Sequence, residues 1–126
     1  MKKLIIFALF LLLIFSCKKI SVSPEGPTDV RIRNLTESTF TDVVVGIKEE
    51  EIVFGTIDKN SISDYHRFRT AFPKAFISAK INGDSISTGP VDYTYMNYFG
   101  KVRMTYDVVI ENNHITIKNV TLDSAL

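Results

Sequence analysis

The chain has 126 residues with 15 basic and 14 acidic side chains, a formal charge of +1, one cysteine and no tryptophan. That length suits one domain, and the near-neutral balance gives no global field for nucleic acid. A single cysteine excludes an intramolecular disulfide, so any fold rests on an apolar core and backbone ladders.

The chain opens on Lys2 and Lys3, followed by an unbroken apolar run from Leu4 to Phe15. The run is shorter than the ~20 apolar residues needed to span ~30 Å of hydrocarbon, and has the length of a signal-peptide core. Ser16 supplies a small residue just before Cys17. The segment Ile14-Phe15-Ser16-Cys17 resembles a bacterial lipobox, the site at which a signal peptide is cut before a cysteine that carries lipid. The resemblance implies that residues 1–16 form a cleaved signal helix. It also implies that Cys17 is the mature N-terminus, bearing a diacylglyceryl thioether and an N-acyl chain such as palmitate. Two or more acyl chains anchor stably, at ~0.8 kcal/mol per buried methylene. Lys18 stands where an inner-membrane retention Asp would be, which implies the outer membrane. The run Lys18-Lys19-Ile20 lacks acidic residues, which favours the periplasmic face over the cell surface. Loss of residues 1–16 removes Lys2 and Lys3, so 13 of the 15 basic side chains then face all 14 acidic ones.

Residues 17–28 are expected to be the lipidated cysteine and a flexible tether, because Ser21, Ser23, Pro24, Gly26 and Pro27 interrupt any period. From Asp29 to Leu126 the dominant signal is strand alternation. Val30 and Ile32 alternate with Arg31 and Arg33 as in a half-buried strand. Phe40 to Ile47 contains three consecutive valines and reads as a strand covered on both faces. Lys48 to Glu51 reads as a charged connection, Ile52 to Ile57 as a third strand, and Tyr65 to Arg69 as a short one. Pro73 bars continuation, since proline cannot donate to a ladder. Phe76 to Ile81 and Asp84 to Thr88 flank Asn82-Gly83, a strong hairpin signal. Lys101 to Glu111 is the longest predicted strand, with Val102, Met104, Tyr106, Val108 and Ile110 on one face. Asn112-Asn113 turns the chain into a last strand, His114 to Leu122. About seven short strands with regular turns predict an all-β, antiparallel two-sheet sandwich, immunoglobulin-like or transthyretin-like.

Few residues suggest chemistry. His66 and His114 are far apart in the sequence, and isolated strand histidines are commonly fillers, so no metal and no cofactor are expected. Asp58, Asn60 and Asp64 lack the glycine and terminal glutamate of a calcium loop. No Gly-x-Ser-x-Gly elbow is present, and Cys17 is committed to lipid. Asn34-Leu35-Thr36 and Asn119-Val120-Thr121 match an N-glycosylation pattern that a bacterial lipoprotein makes uninformative. Asp84-Ser85-Ile86 and Asp123-Ser124-Ala125 resemble a short bacterial O-glycosylation tripeptide.

One segment stands apart. Between Gly89 and Gly100 lie Tyr93, Tyr95, Asn97, Tyr98 and Phe99, three of the five tyrosines of the chain. Rings beside Asn and Asp suit a sugar- or peptide-binding surface, and equally suit a lid buried against Phe72 and Phe76. The expected function is a membrane-anchored, non-enzymatic binding or accessory module, monomeric, meeting an envelope protein, peptide or glycan. An inhibitor or immunity-type protein that blocks an envelope hydrolase is the alternative, with a small hydrolase behind it.

Overall fold

Apolar and polar residues alternate through most of the domain, and that alternation drives two sheets to close face to face. In the computed structural model, which describes residues 24–126, eight strands form. They are β1 (Thr28–Asn34), β2 (Phe40–Ile47), β3 (Glu50–Ile57), β4 (His66–Phe68), β5 (Phe76–Ile81), β6 (Asp84–Ser87), β7 (Val102–Glu111) and β8 (His114–Ala125). One sheet has the order β4-β1-β7-β8 and the other β3-β2-β5-β6. The two-sheet sandwich expected from the sequence is therefore present, and each of the eight strands falls on a segment that the sequence marks as one. The apolar run, the lipobox and Cys17 lie outside the described residues.

One pairing departs from a purely antiparallel plan. β1 runs antiparallel to β4 but parallel to β7, with Asp29 opposite Arg103 and Asn34 opposite Val108. A four-and-four arrangement with the first strand inside its sheet is not the immunoglobulin order of four strands against three. Of the two architectures expected, the transthyretin-like one agrees with it.

The core lies between the sheets. Val30 and Ile32 of β1, Met104, Tyr106 and Val108 of β7, and Ile115 of β8 meet Val43, Val45, Ile47 and Ile77 from the facing sheet, all fully or almost fully buried. The valine run of β2 is not covered on both faces. Val43 and Val45 point inward, while Val44 is only half-buried, because the register shifts around Thr41–Val44 and Asp42 takes a φ of 49°. Tyr106 is the largest fully buried side chain, and its hydroxyl donates to the Phe72 carbonyl at 2.5 Å. Burial pushes its phenol well above the usual tyrosine range.

Two differences at the element ends have simple causes. Glu50 and Glu51 belong to β3 rather than to a connection, because their backbones pair with Ile47 and Gly46 across a tight turn. The stretch read as tether also reaches into the fold. Thr28 opens β1, its hydroxyl donates to the Gly100 carbonyl at 2.6 Å, and Gly26 is buried where a Cβ would collide with the Arg69 carbonyl. Both predicted hairpins form, with positive φ at both central residues: 50° and 84° at Asn82-Gly83, 50° and 63° at Asn112-Asn113. These are the signs a type I′ turn requires.

Candidate binding surface

Residues 89–100, within the connection from β6 to β7, are pinned at the end of the sandwich where β1 and β7 begin. Thr88 holds its start, its backbone NH donating to the Ile77 carbonyl at 2.9 Å and its hydroxyl accepting from the Ile77 NH at 3.1 Å. Asp92 accepts from the Thr94 NH at 2.9 Å, closing a local turn. The Thr94 hydroxyl first, and then this NH, keep the Asp92 carboxyl below the usual range. Tyr93 then turns in. Its ring centroid lies 5.2 Å from that of Phe72, and its hydroxyl donates to the Gly46 carbonyl at 3.3 Å. Met96 bonds back to Tyr93 through its NH at 3.0 Å, and the Phe99 NH donates to the Ala71 carbonyl at 3.0 Å. Tyr93, Met96 and Phe99 all pack on the core.

The loop thus divides at a spacing of three. Residues 93, 96 and 99 face inward, and the positions between them face out. Tyr95 is completely exposed at 101% and sits in the left-handed region with φ 67°, while Tyr98 is 44% exposed and Asn97 is also exposed. The sequence left two readings of these rings open, and the structure separates them by burial. Tyr93 and Phe99 cap the core, with Tyr93 against Phe72 as the burial reading had it. Tyr95, Asn97 and Tyr98 form a surface. The spacing of Tyr93, Met96 and Phe99 was the signal that could have separated them.

Two shallow grooves border the loop. One, of about 370 Å³, runs past Lys74, Thr88, Asp92, Met96, Ile115 and Ile117. The other, of about 330 Å³, lies against Gly46, Glu51, Phe76, Val91 and Tyr93. Lys48 places its ammonium 4.8 Å from the Phe72 ring centroid, on the same aromatic cluster.

The remaining candidates do not assemble into a site. His66 stacks on Phe54 with centroids 4.1 Å apart, whereas His114 sits at the β7–β8 hairpin. Among the described residues no group of three or more His, Cys, Asp or Glu side chains could hold a metal ion. Asn60 donates to Glu37 at 3.1 Å and Asp58 accepts from the Ser61 NH at 3.2 Å, as in a turn. Asn34 of the first N-glycosylation pattern is fully buried.

Sequence reasoning missed an ionic lattice on the outer face of the β4-β1-β7-β8 sheet. Asp29 lies between Arg67, at 2.8 Å, and Arg103, at 3.8 Å. The Arg31 Nε donates to the Thr105 hydroxyl at 2.9 Å, which donates on to Asp123 at 2.6 Å. Tyr65 also donates to Asp123, at 2.7 Å, under the Arg31 guanidinium 4.6 Å from its ring centroid. Burial first, then this carboxylate, raises the Tyr65 phenol. The signal was present as Asp29-x-Arg31-x-Arg33 facing Arg103-x-Thr105-x-Asp107, but only the β1–β7 register brings it into play.

No family model matches the chain, and no curated protein matches it. Among solved structures it is similar to the NMR structure of a protein from Eubacterium rectale. The TM-score is 0.51 at 13% identity, over 83% of this chain and 96% of that one. At that identity the likeness speaks for the two-sheet fold alone.

Proposed function

We propose that this chain is a lipid-anchored, non-enzymatic binding module of a bacterial envelope. It is held by acyl chains on Cys17 at the periplasmic face of the outer membrane. It meets its partner as a monomer through Tyr95, Asn97 and Tyr98. The observation that carries the binding surface is Tyr95, a fully exposed ring held out in a left-handed backbone conformation by neighbours that pack inward. A large apolar ring with no packing role, on a loop fixed at both ends, is what a contact surface needs and a core does not. The anchor is supported by the basic head, the short apolar core, the small residue and the cysteine in sequence.

The test pairs stability with capture. The double variant Tyr95→Ala/Tyr98→Ala is expected to melt with the wild type and to lose the envelope component, lipid or macromolecule, that wild type retains from its own envelope extract. A collapse of the melting temperature would assign these rings to the core and sink the surface. Recovery of one stoichiometric hydrolase, with its activity blocked, would move the assignment to the inhibitor reading.

A further inference from the structure

We infer that the partner of the Tyr95–Tyr98 surface is the bilayer to which Cys17 is tethered, with these rings seated among the lipid headgroups. This rests on the lipid-anchor reading above. Its first support is position. The described chain begins at Pro24, whose carbonyl oxygen lies 3.3 Å from where a Cβ on Gly100 would stand, at the foot of the loop. Residues 18–24 join that point to Cys17, and at ~3.3 Å per residue they reach at most about 23 Å. The aromatic loop is fixed to the same end by the Phe99–Ala71 and Thr28–Gly100 bonds. A globular partner of ordinary size is about 30 Å across and does not fit squarely between this end and the membrane. The bilayer surface is always within reach.

The second support is chemical. Tyr95 is fully exposed and Tyr98 44% exposed, and Leu126, 43% exposed, is held at this end by its NH on the Lys101 carbonyl at 3.2 Å. Tyrosine is enriched at headgroup level, where its ring meets acyl chains and its hydroxyl stays wet. The charges here are mixed rather than basic. Lys74 shares a groove with Asp92, and Lys48 and Arg69 share another with Glu25 and Glu49. Contact therefore comes through the rings and not through attraction to anionic lipid, so it is insensitive to salt.

Because the chain has no tryptophan, Tyr95→Trp in the full-length lipoprotein gives one clean reporter. The purified protein is reconstituted into phosphatidylcholine vesicles with and without bromine on the shallow part of the acyl chains, and the acyl mass on Cys17 is measured in the same sample. The expected result is blue-shifted emission and a roughly twofold loss of intensity in brominated vesicles, unchanged by salt. Tyr98→Trp should report the same from a second position. Acylated protein whose indole at both positions keeps its water-exposed emission overturns the inference while leaving the anchor standing. A chain without acyl mass overturns the anchor, and the inference with it. Protection that appears only when an envelope protein or glycan fraction is added also overturns it, and assigns the rings to that partner.

Discussion

The amide of Asn34 is engaged at both ends although the residue is fully buried. Its Nδ2 donates to the carbonyls of Ser38, Asp58 and Ile57 at 2.8, 3.2 and 3.3 Å, and its Oδ1 accepts from the Thr36 NH at 3.0 Å. It ties the β1–β2 turn to the end of β3. Asn34→Ala should cost about 2–3 kcal/mol in a urea unfolding curve, since the buried Ile57 carbonyl loses this partner. The sequence offered Asn34 as part of the Asn34-Leu35-Thr36 pattern. Its burial was not legible, because two of the three carbonyls it serves, those of Ile57 and Asp58, come from more than twenty positions on. Tyr106 makes a related prediction. Tyr106→Phe should cost about 1–3 kcal/mol by stranding the Phe72 carbonyl. In the unfolded chain the phenol titrates near ~10, and in the folded one it is held higher, so ionisation favours unfolding. Stability from this group is complete below pH ~10 and is lost as pH rises further. Denaturant curves taken at increasing alkaline pH should fall more steeply for wild type than for Tyr106→Phe.

At the scale of elements, the hairpins were the most legible features, because their turn residues carry the required backbone signs in their own chemistry. Gly83 sits at φ 84° with open space around it, so Gly83→Ala adds strain without a clash. A loss of about 1–2 kcal/mol is expected by thermal melting. Asn113, at φ 63°, gives the opposite case. Asn113→Gly relieves a left-handed side chain and should raise the melting temperature by a few degrees. Strand ends were less legible than strand centres. β8 continues to Ala125, beyond the predicted Leu122, because β7 offers backbone partners to Ser124 and Ala125 whatever their side chains. The aromatic loop was legible as a unit but not in its division. Which rings turn inward depends on Phe72 and Gly46, which other elements bring to the same end.

For the whole molecule, anchor and fold should be separable. Cys17→Ser is expected to move the protein from the membrane pellet to the soluble fraction while its melting temperature stays within a degree or so of wild type, because residue 17 precedes the packed domain. An unchanged pellet fraction would overturn the anchor. The pairing of β1 has a further consequence for how such a molecule is made. β1 lies between β4 and β7, and its side chains bond across a separation of 74 residues, from Arg31 to Thr105. No nascent fragment can complete that sheet until the last third of the chain has been delivered. Sandwiches dominated by distant pairings fold in milliseconds to seconds, far slower than helical bundles. A chain made N-terminus first brings β1 out early and leaves it waiting, with Val30 and Ile32 bare to proteases and to other chains. The interval before β7 arrives is then the one in which this chain is least protected, since the fold that would cover β1 does not yet exist.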